Sequence, residues 1–236
     1  MNCTVNIIMA AAGKGTRAAQ DINKVYADLC GKAVLVRSIL PFLQIPQVKL
    51  VIVVISKDDV DLFNKIVLKD ESLIHVQSKI KYVIGGNTRQ ESVYNGLQNI
   101  DKDVDLVAIH DGARPLILKE DIISVMEIAC KTGAAFLGVK VKDTIKQINA
   151  QKMTVKKTLK REELIAVQTP QIFQKDIIVN AYAKAVCNKA IASDDTTLVE
   201  WAGYPVYMVE GSYENIKITT PEDFIIARSL LDARNR

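Results

Sequence analysis

Apolar residues fall along this chain in two kinds of short run. Val5 to Ala10, the segment 49–56 (KLVIVVIS) and the stretch DLVAIHD from Leu106 are continuous and mostly β-branched or aliphatic. Such runs predict strands covered on both faces. Between them the apolar positions take a helical spacing: Val34, Leu35, Ile39, Leu40 and Leu43, then Leu62, Phe63, Ile66 and Val67 in a helix beginning at Asp58. KYVIGG is a short strand ending in paired glycines, and TRQESVYNGLQNI is a helix opened by Thr88. Helix 119–132 and strand 134–140 follow. Strands alternating with helices of about ten residues predict βαβ units: an α/β fold of Rossmann-like kind, with a mostly parallel sheet and helices on both faces.

The alternation breaks after Lys140. Val139, Val141, Thr144 and Ile145, then Met153, Val155 and Thr158, alternate with lysines around a turn at 149–152. This reads as an extended two-stranded β-arm at about 140–165, inserted in a single domain spanning 1–236. Isolated hairpins are marginal in water, so the arm needs something to pack against, and a second copy of the chain is the economical candidate. The helix–sheet pattern resumes with helices at 175–188 and near 195–201, a strand at 206–210, a short NIKIT strand, and a terminal helix opened by Thr220 and Pro221.

Composition narrows the class. No apolar segment reaches the length a bilayer requires, and the opening MNCTVNIIMAAAGKG lacks a basic n-region, so a soluble, cytoplasmic protein is expected. Cys3, Cys30, Cys130 and Cys187 show no CxxC spacing, which points to reduced thiols and away from zinc. The net charge of +4 comes without aromatic–basic interleaving, so nucleic acid is not an expected partner. The lysines crowded between Lys140 and Lys160 read as charged edges that keep a hairpin from aggregating.

In parallel sheets the ligand sits beyond the carboxyl ends of the strands. That selects the loops 11–24, 56–58, 85–89 and 110–115. In the first, small residues Ala11, Ala12, Gly13 and Gly15 precede Arg17 and Lys24, a pattern suited to cradling phosphate with backbone N–H groups and adding full charges. It is neither the dinucleotide fingerprint, whose third glycine is here Ala18, nor the P-loop. Asp111 ends a buried strand, where it can hold Mg2+ with substrate phosphates, accept from a ribose hydroxyl, or cap the turn before Pro115. His110 reads as a satisfied core or turn histidine. Gly85 and Gly86 permit close approach of a flat ligand, or simply turn the chain ahead of Thr88 and Ser92. Ser193, Asp194 and Asp195 are helix-capping types, and Lys217 by itself is a solvated lysine.

Taken in order, AAGKGTR with a lysine seven beyond its arginine, GGxxRQESVxxGL, HDGARP, VKDTIK, QTPQxF and EGxxxNIKITTPEDF make the chain resemble the 2-C-methyl-D-erythritol 4-phosphate cytidylyltransferases of the non-mevalonate isoprenoid pathway. The resemblance implies a homodimer through the arm that uses CTP, Mg2+ and 2-C-methyl-D-erythritol 4-phosphate. By position it implies that Ala11, Ala12, Gly13, Gly15, Gly86, Asn87 and Ser92 bind cytidine and phosphates, with Asp111 at the ribose and metal. Arg17 and Lys24 match the family's transition-state stabilisers. Arg161 and Lys217 match residues that position the sugar phosphate, with Thr144, Arg114, Thr169 and Ser193 at the same substrate.

Some positions depart from the family pattern. Asn23, Lys24 and Val25 stand where Pro-Lys-Gln is usual, Gly112 replaces an alanine, Ser193 a threonine, and Glu214 occupies a place that is often aspartate. A ribitol 5-phosphate cytidylyltransferase is the near alternative; its usual HDAVRP differs at Ala113. A non-catalytic CTP-binding regulator and an NAD-dependent dehydrogenase are the more distant ones.

Overall fold

A computed structural model describes residues 3–13 and 23–234. In chain order these form β1 (Val5–Ala10), a 3-10 turn (Lys24–Tyr26), β2 (Asp28–Leu29), β3 (Lys32–Ala33), α1 (Val34–Leu43), β4 (Val48–Ile55), α2 (Val60–Leu62), β5 (Ile80–Ile84), α3 (Arg89–Leu97), β6 (Leu106–Asp111) and α4 (Lys119–Thr132). Then come β7 (Ala134–Lys140), β8 (Lys146–Asn149), β9 (Thr154–Thr158), β10 (Ile165–Gln174), α5 (Lys175–Asn188), α6 (Asp195–Trp201), β11 (Tyr207–Glu210) and α7 (Pro221–Arg234).

Seven strands make one sheet in the order β11-β7-β10-β6-β1-β4-β5. The chain winds outward through β1, β4 and β5, then returns to lay β6 on the other side of β1. Both neighbours of β1 are parallel to it, with Ala10 beside Val54 and Asp111. The winding therefore reverses between β1 and β6, which makes their carboxyl ends the topological switch point where such sheets bind ligands.

Alternation along the buried strands divides the core into two layers. Ile7 and Met9 of β1, with Val51 and Val53 of β4, pack with Leu35, Ile39 and Phe42 of α1 and Val125 and Met126 of α4. Ile8 and Val54 face the other way, toward Val93 and Leu97 of α3 and Ile178 and Tyr182 of α5. Helices thus cover both faces, as the continuous apolar strands require.

The sheet departs from the expected pattern at β10, which runs antiparallel between β6 and β7. This strand follows the arm directly and carries Gln168, Thr169 and Gln171, all buried. The helix expected from Asp58 is a 3-10 turn, one short α turn and a π segment (Phe63–Val67). The NIKIT segment is not a strand. It is tied to the 110–115 loop by Ile218 N donating to the Ala113 carbonyl at 2.8 Å. The arm exists as β8 and β9 paired antiparallel in a separate sheet, with Met153 and Val155 largely exposed. Cys3 and Cys130 are joined in a disulfide, contrary to the expected reduced thiols. The fold brings the entrance of β1 to the end of α4 across 127 residues, a proximity that cysteine spacing does not reveal. Among the described residues no helix is long and apolar enough to cross a membrane.

Candidate active site

A cleft of about 620 Å3 opens over the carboxyl ends of β1, β4, β5 and β6. Its floor is the turn Ala10 to Gly13 that continues β1, and one wall is the β5–α3 turn through Gly85, Gly86 and Asn87. These two turns touch so closely that a Cβ built on Gly85 would lie 2.6 Å from Ala12 Cβ and 2.7 Å from Ser92 Oγ. Glycine is required here because the side chains of Ala12 and Ser92 leave no room for a Cβ. Ser92, one turn into α3, holds the turn from below: its Oγ accepts from Gly86 N at 3.1 Å and donates to the Thr88 carbonyl at 2.8 Å. Thr88 caps α3 by accepting from Glu91 N, while Glu91 accepts in return from Asn87 N, a reciprocal cap that fixes the N-terminus of α3 at the cleft.

Asp111 forms the opposite side, at the last residue of β6. Lys217 Nζ stands 3.0 Å from its Oδ2 and Arg114 Nε 3.4 Å from the same oxygen, while Arg89 Nε stands 3.7 Å from Oδ1. Burial raises the proton affinity of this carboxyl, but Lys217, Arg89 and Arg114 outweigh it and hold Asp111 well below the usual carboxylate range. It is a buried carboxylate, ionised at neutral pH. Arg89 also donates to Asp195 Oδ2 at 2.7 Å, and Asp195 accepts from the Tyr182 hydroxyl at 2.5 Å. Burial lowers the proton affinity of Arg89, yet Asp195 and Asp111 raise it overall, so the guanidinium stays charged.

Behind Asp111 lies a continuous hydrogen-bond chain. Asp111 N donates to Thr169 Oγ1 at 3.0 Å, and Thr169 Oγ1 is 3.0 Å from His110 Nδ1. His110 Nε2 reaches the Arg114 carbonyl at 3.3 Å. A carbonyl only accepts, so Nε2 carries the proton and Nδ1 accepts from the threonine hydroxyl. The imidazole is neutral, in keeping with burial, which lowers its pKa to about 4. His110 is thus the satisfied core histidine that its apolar strand suggested.

Asn215 completes the support: its Nδ2 donates to the Thr169 carbonyl at 3.0 Å and its own carbonyl accepts from Arg114 Nη1 at 2.7 Å. Two residues on, Lys217 enters the cleft.

The structure therefore brings Ala11, Ala12, Gly13, Lys24, Gly86, Asn87, Ser92, Asp111 and Lys217 to one cleft. Arg114 contacts Asp111 from beside it. Thr169 is buried behind Asp111 and bonds its backbone rather than lining the cleft. Ser193 borders a small neighbouring hollow with Arg89 and Asp195. Thr144 and Arg161 lie on the arm and do not line the cleft; Arg161 Nη1 donates to the Lys142 carbonyl at 3.0 Å. Gly15 and Arg17 lie outside the described residues. Arg89 is not among the residues the sequence singles out, although it is the arginine of GGxxRQES. Its two partners, Asp111 and Asp195, are distant along the chain and only the fold brings them to it.

The family model for 2-C-methyl-D-erythritol 4-phosphate cytidylyltransferase matches residues 5–233. The enzyme of that name from Caldanaerobacter subterraneus subsp. tengcongensis is 44% identical over 96% of this chain and 98% of its own, and that from Clostridium novyi is 46% identical over 98% and 96%. Among solved structures, 4-diphosphocytidyl-2C-methyl-D-erythritol synthase from Anaerococcus prevotii superposes with a TM-score of 0.85 at 32% identity, covering 98% of this chain and 100% of the other. The cytidylyltransferase from Thermus thermophilus does so at 0.78 and 29% identity, over 98% and 100%. The family model spans nearly the whole chain and the solved relatives share its fold, and the chain belongs to the 2-C-methyl-D-erythritol 4-phosphate cytidylyltransferase family.

Proposed function

We infer that the cleft at the ends of β1 and β6 is where this chain transfers CMP from CTP to 2-C-methyl-D-erythritol 4-phosphate, releasing pyrophosphate in isoprenoid precursor synthesis. The observation that carries the assignment to this cleft is Asp111: an ionised carboxylate among three cations, at the switch point, facing two small-residue turns. In the reaction a phosphate oxygen of the acceptor attacks the α-phosphorus of CTP. A new P–O bond forms, the bond from that phosphorus to the bridging oxygen breaks, and pyrophosphate leaves with the electron pair. No covalent enzyme intermediate is needed, so positioning and charge neutralisation supply the catalysis.

The residues divide along those lines. Ala11, Ala12, Gly13 and Gly15 with Gly86, Asn87 and Ser92 hold cytidine and phosphates, largely through backbone groups. Lys24 and Arg17 neutralise the charge that grows on the departing pyrophosphate. Lys217 and Arg114 take the acceptor's phosphate on the near side. Thr144 and Arg161 of the partner subunit take it on the far side in a homodimer joined through the arm, and Ser193 borders the same region. Thr169 positions Asp111.

A Mg2+ ion needs one or two carboxylates, with substrate phosphates and water supplying the remaining oxygens. Asp111 fits: it is held ionised, and its Oδ1 lies away from Lys217 and Arg114, with Arg89 Nε at 3.7 Å as its neighbour. Among the described residues no cluster of three metal-binding side chains competes with it. When bound there, Mg2+ offsets charge on the triphosphate.

Pyrophosphate release from CTP, measured in parallel with the erythritol and the ribitol phosphates, tests the reading. Release is expected with the erythritol phosphate, and Asp111→Asn is expected to cut it ~100-fold without changing the circular dichroism spectrum. Release with ribitol 5-phosphate alone, with neither acceptor, or undiminished in the variant, overturns it.

A further inference from the structure

Lys24 opens the 3-10 turn Lys24–Tyr26, and the side chain of Asn23 joins the backbone of this turn to the wall of the cleft. Asn23 Oδ1 accepts from Val25 N at 3.5 Å, capping the turn, and Asn23 Nδ2 donates to Asp59 Oδ2 at 2.9 Å. Asp59 ends the 3-10 turn Lys57–Asp59 that leaves β4, and its backbone N donates to the Ser56 carbonyl at 3.1 Å. Ser56, Lys57 and Asp58 line the cleft along with Lys24. The bond between Asn23 and Asp59 therefore spans from the lysine's turn to the rim that β4 supplies.

The pair is well placed to be rigid. Asp59 is 8% exposed, so the bond is sheltered from competing water. Val25 and Tyr26 beneath it are each 4% exposed, which anchors the far end of the turn in the core. The carboxylate faces that end too: burial, and then the Asp59 charge, raise the proton affinity of the Tyr26 hydroxyl. Asn23 has φ −54°, a value a proline ring also holds. Backbone conformation alone thus does not call for asparagine; the amide donor is what a ring cannot supply.

We propose that Asn23 and Asp59 are a positioning pair that sets where Lys24 stands over the triphosphate, with Asn23 making by a side-chain hydrogen bond the constraint that a rigid residue would make by its ring. This rests on the cleft being the CTP site. The consequence is specific to the chemical step. Weakening the pair shifts the lysine ammonium relative to the departing pyrophosphate, which lowers kcat, and leaves the acceptor contacts of Lys217 and Arg114 in place.

The test is a reciprocal exchange. Asn23→Asp sets two carboxylates against each other and removes the donor; it is expected to lower kcat ~10-fold or more, with KM for the erythritol phosphate within about twofold of wild type. Asp59→Asn keeps an acceptor for Asn23 and is expected to have a small effect. The double variant N23D/D59N restores one donor and one acceptor with their places exchanged, and is expected to recover kcat to within ~3-fold of wild type. Hydrogen exchange of the 23–27 segment gives a readout independent of activity: faster in Asn23→Asp, and returned to the wild-type rate in the double variant. Asn23→Asp with wild-type kcat and exchange, or a folded double variant that recovers neither, overturns the proposal. A wild-type chain without pyrophosphate release overturns the function instead, and the exchange data still judge the pair.

Discussion

His110 cannot take up a proton without turning the Thr169 hydroxyl away, because its Nδ1 accepts from that hydroxyl while Nε2 already donates. Its folded pKa of about 4 lies below the ordinary value, so the unfolded chain binds the proton more readily between the two. Stability contributed by the neutral ring is complete above ~6.5 and is lost as pH falls through 4, a change of up to about 3 kcal/mol. Urea denaturation at pH 7 and pH 4.5 should show this loss, with a flatter profile for His110→Gln; equal slopes in the two proteins would remove His110 from the explanation. Of the cations given substrate roles in the proposed function, Lys24→Ala and Arg17→Ala are expected to lower kcat ~100-fold or more while changing KM for CTP little, since charges in the proposed role would act most as pyrophosphate leaves. Lys217→Ala is expected to act chiefly on KM for the sugar phosphate. Steady-state kinetics with each substrate varied in turn separates the two patterns. Single residues are readable in the sequence where a motif carries them, as with Asp111 and Lys217. Arg89 is not, because what makes it a site residue is a bridge between two carboxylates that only the fold assembles.

At the scale of elements, the turns matter more than the strands they join. The approach of Gly85 to Ala12 and Ser92 leaves no room for a methyl group. Gly85→Ala should force the β1 and β5 turns apart, costing ~1–3 kcal/mol in thermal denaturation and weakening CTP binding by calorimetry more than binding of the acceptor. A normal affinity in a folded variant would show that the cleft tolerates a wider gap. The sequence reading located α4 and α5 to the residue and placed a helix near α6. It failed for β10 because that strand is buried on polar terms. Gln171 accepts from Asp195 N and Thr196 N and donates to Asp194, anchoring α6, while Thr169 serves His110 and Asp111. The buried run of β10 opens on Gln168, Thr169 and Gln171 and only then reaches the apolar Ile172 and Phe173, so it shows no apolar alternation. The NIKIT segment erred the other way: its β-branched residues suggested a strand, but one of them, Ile218, is buried beside Leu116 and Ala227 in the small cluster under α7, outside the sheet.

For the molecule as a whole, the arm is the feature that stands outside the main sheet. Among the described residues its two strands pair only with each other, and Met153 and Val155 lie open. Its root is firm: the Tyr213 hydroxyl donates to the Lys140 carbonyl at 2.7 Å, and Lys142 Nζ lies 3.6 Å from the centre of the Tyr213 ring. Light scattering should report a dimer. Mixing inactive Arg17→Ala with inactive Arg161→Ala subunits should restore one working site per heterodimer; no recovery, with subunit exchange verified, counts against a shared site. The path of β10 gives the arm a further meaning. Both of its roots are neighbouring strands of the main sheet, and the outgoing one soon reaches Thr169, and so the backbone of Asp111. The hairpin is thus less an appendage than a continuation of the strand that holds Asp111: in the proposed homodimer, a partner seated on its tip would be joined through one strand to the proposed metal and ribose site.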